Sequence, residues 1–277
     1  MDDEYPPSAY GLRTPHYGAP DWRYFRELGE IPADDDGPFW LAELLRFRDR
    51  VGEHTGRALY EAGPIDEHVD RHGGVKVVSG DVLAAGEHDK DETAHLFTMT
   101  RYPSRRAFFE QVCNREFVKH HRSYEMALEQ ALLLACVPTP VMKRPSDLDP
   151  PRWSETPHPP TDHDSPVLTV NLIRYQPDPA IDVDAHGTHE RMLREASFPE
   201  GGRMTRSFAV EAVAVSNGIE WHEVRITAYP SYAAVTAAAE RLSDNDHFNR
   251  LHRDLVEHHV RIAVKPSIDQ LARSIHH

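Results

Sequence analysis

Two histidines, His121 and His252, occupy matched positions in two predicted helices. Each lies on a stripe of residues spaced four, three and four apart, which predicts a helix face turned toward the core. The two stripes are Phe117, His121, Tyr124 and Leu128, and Phe248, His252, Leu255 and His259. A histidine there titrates near neutral pH and can act as a general base or acid. The alternative is a core histidine that bonds a backbone carbonyl and serves packing, and the sequence does not choose between the two.

A carboxylate and an amide stand at the centres of two otherwise apolar predicted strands. Glu43 lies in FWLAELLRF and Asn171 in VLTVNLIRY, and the two strands match at an offset of 128 residues. Because burying a lone carboxylate or amide is costly unless it has a partner, both positions invite a function. We predict Glu43 as a catalytic acid–base group and Asn171 as a substrate-binding amide. A structural bridge from Glu43 to an internal arginine is the alternative.

Strand alternation assigns the faces of these strands. We assign the uniformly apolar set to the face that the helices cover. It comprises Trp40, Ala42, Leu44, Phe97, Met99, Leu168, Val170, Leu172, Val224 and Ile226. The more polar set, with Glu43, Asn171, Glu223 and Arg225, is assigned to the opposite face, and Glu223 and Arg225 are substrate-binding candidates. There Arg225 would neutralise Glu223 or Glu43, or bind an anionic substrate through a charge-assisted bond.

Three further side chains are substrate-binding candidates. Arg46 and Arg174 end the two matched strands, where they could bind a substrate carboxylate. Salt bridges to aspartate or glutamate are the alternative for both. Tyr60, in the first predicted helix, is a candidate hydroxyl donor.

Metal binding is the less favoured use of the histidines. The pairs His186-His189 and His258-His259 form neither an HExxH motif nor a Cys/His cluster. A His/carboxylate site would need four distant residues to converge: His121, His252, Glu43 and Glu223. We therefore predict no metal and no organic cofactor, with a divalent metal bound by histidine and glutamate as the alternative. No axial haem ligand can be assigned, and nucleotide-binding motifs are missing.

The candidate residues occur in matched pairs because the sequence contains an internal repeat. GPFWLAELLRF matches SPVLTVNLIRY, TRYPS matches TAYPS, and Phe117 with His121-Arg122 matches Phe248 with His252-Arg253, at offsets of 127 to 131 residues. Each copy predicts the order β-α-β-β-α-β, which is the ferredoxin-like plan. The predicted organisation is an N-terminal extension over 1–36, ferredoxin-like repeats over 37–137 and 166–277, and a proline-rich linker over 138–165. An apolar cluster in the extension predicts a short docked helix: Trp22, Tyr24, Phe25 and Leu28.

The repeats resemble the dimeric α+β barrel superfamily. The segments that carry the resemblance are GPFWLAELLRFRD, HGGVKVVSGDVLA and TRYPSRRAFFEQVCNREFVKHHR, with their second-copy counterparts. They are most similar to a largely uncharacterised branch, whose usual residue matches Asn171, so Glu43 is a departure. The resemblance implies an α+β fold in which two tandem ferredoxin-like βαββαβ units pack their antiparallel sheets into one intramolecular barrel, with the polar strand face inside. The superfamily includes cofactor-free monooxygenases, polyketide cyclases, isomerases, dehalogenase-like enzymes and haem proteins, so it does not fix the activity.

Composition limits the partners. The 277 residues include 31 Lys and Arg against 45 Asp and Glu, and the resulting net charge of −14 argues against nucleic acid and anionic membranes. The two cysteines fit a reducing cytoplasm, and neither a signal peptide nor an apolar run of about 20 residues is visible. We expect a cytoplasmic monomer or homodimer that acts on a small molecule.

These expectations combine into one functional hypothesis. We predict a small-molecule enzyme of specialised, biosynthetic metabolism, acting in the barrel pocket without an organic cofactor. Glu43 or a buried histidine removes a proton, and Arg225 and Asn171 stabilise the oxyanion, which gives cyclisation, isomerisation or elimination as in isomerases and lyases. The alternatives are a metal-dependent or cofactor-free oxygenase, and a non-catalytic small-molecule-binding protein.

Overall fold

The computed structural model describes residues 16–85, 94–139, 151–177 and 183–275, which form a mixed α+β fold. The strands are β1 Ala19–Pro20, β2 Phe39–Phe47, β3 Val75–Ala85, β4 Leu96–Tyr102, β5 Leu128–Pro138, β6 Val167–Tyr175, β7 Arg203–Ser216, β8 Glu223–Tyr229 and β9 Val256–Asp269. The helices are α1 Trp22–Glu30, α2 Gly56–Glu61, α3 Ile65–Arg71, α4 Arg105–Cys113, α5 Arg115–Ala127, α6 Val183–Ser197, α7 Tyr232–Ser243, α8 Asp246–Leu255 and α9 Leu271–Ser274. Among these helices, none has both the length and the apolar character needed to cross a membrane.

Eight antiparallel strands close into a barrel. Their order is β7-β5-β2-β4-β3-β9-β6-β8, and β8 pairs back onto β7. Two seams join strands from the two halves of the sequence: β3 with β9, where Val82 faces Val264, and β5 with β7, where Ala135 faces Ala212. The barrel therefore depends on both halves for its closure.

Polar side chains set where the helices begin. Ser104 and Ser231 accept the backbone N–H three residues on, and so start α4 and α7. Asn114 ends α4 and, through its side-chain oxygen, starts α5, as Asn245 does for α8. Such N-caps satisfy backbone donors that the first helical turn leaves open. The break between α4 and α5 is therefore caused by this capping side chain.

The barrel interior is filled by the apolar set that we assigned to the helix face, so that assignment is wrong. One cluster of buried side chains from both halves occupies the interior. It contains Trp40, Ala42, Leu44, Phe97, Met99, Leu168, Val170, Leu172, Val224 and Ile226. Because an eight-stranded barrel is just wide enough for side chains to fill it, the uniformly apolar face turns inward. The polar residues face the helices instead, where a second cluster leaves room between the two layers.

The N-terminal segment lies on the first half of the barrel. The predicted short helix is α1, and it packs through Phe25 against Phe108 of α4, with ring centroids 6.1 Å apart. Its start is anchored by Asp21, whose side chain accepts the backbone N–H groups of Arg23 and Tyr24. The Tyr24 hydroxyl donates to Glu211 of β7, at 3.2 Å. This segment therefore reaches across the seam between β5 and β7.

Candidate functional site

A cavity of about 540 Å³ lies between the outer face of the sheet and the helices α2 to α5. Its volume falls in the range of about 300–1,000 Å³ that is typical of small-molecule sites. The polar groups that line it include Tyr17, Glu43, Tyr60, Lys76, His121 and Tyr124, together with the charged side chains of Asp66, Lys119, Arg122 and Glu125. Aromatic and aliphatic side chains form most of the remaining wall. The site is therefore outside the barrel and not in its interior, where we expected it.

Glu43 lies at the centre of β2, between Thr98 of β4 and Leu133 of β5. The Thr98 hydroxyl donates to Glu43 Oε2 at 2.7 Å, and the Tyr124 hydroxyl donates to Oε1 at 3.3 Å. Burial raises the pKa of Glu43, while these two hydrogen bonds and the charge of Lys76 act in the opposite direction. A carboxyl group whose pKa is raised toward neutrality can both accept and donate protons at physiological pH. The alternative, a structural bridge from Glu43 to an arginine, is not among the ion pairs of the described residues.

His121 faces the same cavity from α5. Its Nε2 atom lies 2.8 Å from the Tyr17 hydroxyl, and its ring stacks on Tyr124 with centroids 5.2 Å apart. Its Nδ1 atom is buried and finds no hydrogen-bond partner among the described residues. Burial lowers the pKa of His121 to about 4. The ring is therefore neutral at physiological pH, and its observed contact is to the N-terminal segment and not to a backbone carbonyl.

Two tyrosines complete the polar wall. Tyr60 of α2 packs on Tyr124 with ring centroids 5.4 Å apart, and both line the cavity. Burial raises the pKa of both hydroxyls well above the usual value, and the nearby Glu43 charge acts in the same direction. Both therefore remain protonated and can serve as hydrogen-bond donors. The role of Tyr60 as a hydroxyl donor to a substrate stays a prediction.

The second half holds a much smaller cavity, of about 60 Å³. Here Asn171 occupies the position that matches Glu43, between Arg225 of β8 and Arg261 of β9. His252 lines this cavity, and its Nδ1 atom lies 2.9 Å from Nε2 of His189. Burial lowers the pKa of His252 to about 4, and the charge of Arg261 adds to this effect.

The predicted site residues therefore divide between two places. Glu43, Tyr60 and His121 meet in the large cavity, whereas Asn171, Arg225 and His252 line the small one. The expectation that Arg225 and Asn171 stabilise an oxyanion formed by Glu43 is wrong, because they lie on the outer face of the other half of the barrel. Glu223 pairs with Arg225 at 2.9 Å instead of approaching Glu43.

Arg46 and Arg174 lie apart from both cavities. Arg46 pairs with Glu129 at 3.1 Å, and Arg174 pairs with Glu257 at 2.8 Å. These are the salt bridges that the sequence analysis left open as the alternative. Binding of a substrate carboxylate by either arginine stays a prediction.

Within the described part of the chain, no three histidine, cysteine or acidic side chains cluster in a way that could hold a metal ion. The four residues that a metal site would need do not converge, since His121 and His252 line different cavities. His121 also has Nε2 engaged by Tyr17 and Nδ1 buried, so neither nitrogen is open to a metal in the cavity.

Several site residues were missed by sequence reasoning. Tyr17 lies 104 positions from its partner His121, and no sequence signal connects the two. Thr98 follows from the strand pairing once the register is known. Tyr124 was noted only as part of a helical stripe. Arg261 and His189, in the small cavity, are evident only when β9 and α6 are placed side by side.

No protein-family model and no curated protein matches the sequence. Among solved structures, a variant of chlorite dismutase from Candidatus Nitrospira defluvii matches with a TM-score of 0.50 and 12% identity, over 91% of this chain and 99% of that chain. A protein of unknown function from Rhodopseudomonas palustris matches at 25% identity and a TM-score of 0.40, over 46% of this chain and 99% of its own. A monooxygenase-like protein from Lactobacillus acidophilus matches at 10% identity and a TM-score of 0.38, over 83% and 94%. Together with the closed eight-stranded antiparallel barrel, the likeness to the chlorite dismutase shows that the chain has the dimeric α+β barrel fold.

Proposed function

We propose that the chain is a small-molecule enzyme in which Glu43 transfers a proton within the large cavity. The observation that carries this proposal is the buried Glu43 carboxyl group, which lines a cavity of about 540 Å³ and accepts hydrogen bonds from two neutral hydroxyls, those of Thr98 and Tyr124. A carboxylate in such surroundings is poorly solvated and is therefore a stronger base than one in water. No organic cofactor is needed for this chemistry.

The proposed reaction begins with ionised Glu43 and a substrate that carries an acidic C–H bond beside a carbonyl group. The C–H proton moves to a Glu43 oxygen, and the electron pair of that bond moves onto the carbonyl oxygen to give an enolate. Tyr60, a protonated donor on the cavity wall, is placed to stabilise this oxygen. Glu43 then returns the proton to another carbon, which is isomerisation, or to a leaving group, which is elimination. Attack of the enolate on a second carbonyl group is the cyclising variant.

The other polar residues hold this arrangement. Tyr124 and Thr98 fix the two carboxyl oxygens of Glu43, and His121 fixes the Tyr17 hydroxyl at the cavity wall. Because the pKa of His121 is lowered to about 4, we assign this residue a positioning role and leave the proton transfer to Glu43. His252 has no place in this site.

We also propose that the two halves are tandem copies of one ferredoxin-like unit. The strand orders β5-β2-β4-β3 and β9-β6-β8-β7 are equivalent, which supports the proposal. So does an interaction found at matched positions. The Asp36 side chain accepts the backbone N–H of Arg105, and the Asp164 side chain accepts that of Tyr232 at the start of the matched helix.

The experiment uses nitrobenzisoxazole, a small planar probe whose base-catalysed ring opening releases a coloured phenolate. The base removes the ring C–H proton, the N–O bond breaks, and the electron pair ends on the phenolate oxygen. We expect catalysis by the wild-type chain at rates that rise with pH as Glu43 ionises. Glu43→Gln should lose about 100-fold or more, since a positioned general base contributes roughly 10²–10⁴.

The matched control is Glu125→Gln, which removes another carboxyl group from the wall of the same cavity. This variant should retain the wild-type rate. Turnover by Glu43→Gln at the wild-type rate, or an equal loss in both variants, would show that Glu43 is not the base.

A further inference from the structure

The small cavity in the second half has an unusual charge balance. It lies between the outer face of β6, β8 and β9 and the helices α6 to α8, and among the described residues no Asp or Glu lines it. Six cationic or imidazole side chains do: Arg194, Arg225, Arg261, His189, His252 and His259. Two of the three arginines form ion pairs with glutamates that do not line the cavity: Arg194 with Glu190 at 2.8 Å and Arg225 with Glu223 at 2.9 Å.

Arg261 is the arginine without a counter-charge. Its Nε atom donates to Asn171 Oδ1 at 3.2 Å, and no described carboxylate lies within 4.0 Å of its guanidinium. An arginine keeps its proton in proteins, so the group carries its full positive charge into the interior. Burying an unpaired charge is strongly unfavourable, and such groups are normally paired or compensated. The Arg261 site therefore calls for a negative partner.

The donors around the cavity also outnumber the acceptors. Arg225 is 8% exposed, and its Nη1 atom is buried with no hydrogen-bond partner among the described residues. Asn171 Oδ1 already serves two groups, Arg261 and the His259 Nε2 atom at 3.0 Å. His189 and His252 are bonded to each other. Unsatisfied buried donors are rare in native proteins and normally indicate a missing ion or water.

The first half shows that this arrangement is particular to the second. At the positions matched to Arg225 and Arg261, the strands beside Glu43 carry Thr98 and Leu133. The three side chains that lie side by side on neighbouring strands thus include one carboxyl group in the first half and two arginines in the second.

We propose that the small cavity binds one small inorganic oxyanion between Arg261 and Arg225. A cavity of about 60 Å³ has room for roughly two water molecules, at about 30 Å³ each. That room suits a compact ion such as nitrate or phosphate. The ion would neutralise Arg261 and lie beside the Arg225 guanidinium, in charge-assisted hydrogen bonds of the kind that arginine forms with oxyanions. Larger organic anions would not fit.

The test measures the melting temperature of the full chain in increasing phosphate, sulfate or nitrate, with chloride added to hold the ionic strength constant. We expect a saturable rise for the wild type with at least one oxyanion. In Arg261→Met only the unsaturable salt effect should remain, and this variant should be at least as stable as the wild type in chloride alone. Arg253→Met, which removes an exposed arginine of α8, is the matched control and should keep the saturable rise.

A linear response of the wild type, or a saturable response retained by Arg261→Met, would overturn the proposal. If Arg261→Met does not fold, crystals of the wild type grown with selenate decide the question by anomalous scattering. Selenium density beside the Arg261 guanidinium, at the distance of a hydrogen-bonded selenate, supports the site, and its lack at saturating selenate refutes it.

Discussion

Replacing the Tyr17–His121 pair with phenylalanines tests whether the imidazole is buried in its neutral form. The double variant Tyr17→Phe/His121→Phe removes both polar partners of a 2.8 Å hydrogen bond and keeps two aromatic rings. Loss of both partners of a buried hydrogen bond is often nearly neutral in free energy. Any pH-dependent difference from the wild type then arises from the titration of His121.

The magnitude follows from the pKa of His121, which burial lowers from 6.5 to about 4. A base whose pKa falls on folding stabilises the native state above its unfolded pKa, and that contribution is lost as the pH falls through the folded pKa. Between the two values the free energy of unfolding should fall by about 1.4 kcal/mol per pH unit. The total loss should be about 3 kcal/mol at pH 4. Other buried groups titrate in this window too, so the difference between the two proteins is the informative quantity.

The assay is urea denaturation at a series of pH values from 7 down to 4, read by far-ultraviolet circular dichroism. The wild type should lose stability relative to the double variant as the pH falls. Tyr17→Phe alone is the control: it keeps His121 buried, so it should keep the pH-dependent loss, while costing about 1–3 kcal/mol because the imidazole nitrogen loses its partner. A difference between wild type and double variant that does not change with pH would refute the burial argument.

Three further outcomes are expected. Thr98→Val removes the 2.7 Å hydrogen bond that opposes the burial effect on Glu43, so the pKa of Glu43 should rise further and the pH–rate profile for nitrobenzisoxazole should move to higher pH; an unchanged profile would contradict this. Gly80→Ala would place a Cβ atom against the backbone carbonyl oxygen of Lys265, across the β3–β9 seam. Calorimetry should show that the free energy of unfolding falls by about 1–3 kcal/mol. Wild-type stability would mean that the seam is not as tightly packed as described. Arg105→Met leaves the carboxylate of Glu211 without its ion-pair partner, at a place where the Arg105 side chain is 13% exposed and the Glu211 side chain 28%. Chemical denaturation should show that the free energy of unfolding falls by about 3 kcal/mol or somewhat less. A neutral effect would argue against this contact.

The secondary structure was largely evident from the sequence because each element has a local cause. Strand β2 begins directly after the Gly37-Pro38 pair, and α5 begins at the capping side chain of Asn114. Such signals act within a few residues and are visible without tertiary context. The closed barrel was accessible only through the repeat and the family resemblance, since pairings such as β3 with β9 link residues nearly 190 positions apart.

The strand faces were not accessible in the same way. Both faces of β2 are buried, so alternation separates the side chains of Trp40 and Glu43 into two sets without saying which set faces the barrel interior. We assigned the uniformly apolar set to the face that the helices cover, which left the polar set for the barrel interior. The interior of a barrel this narrow is occupied by side chains, and the space for a ligand arises where the helices stand off from the sheet. Glu43 does line a cavity, as the sequence predicts, but the cavity lies between the sheet and the helices and not inside the barrel.

The two outer faces explain why the matched positions diverged. The pKa of Glu43 is raised because burial outweighs the opposing charge of Lys76, and the neighbours of Glu43 across the strands, Thr98 and Leu133, add no further positive charge. Arginines at those two positions would lower the pKa of Glu43 and hold it as a paired carboxylate, which is a weak base. In the other half, Arg225 and Arg261 flank an amide that cannot neutralise them. One arrangement favours proton transfer and the other favours an anion, and a single face could not provide both.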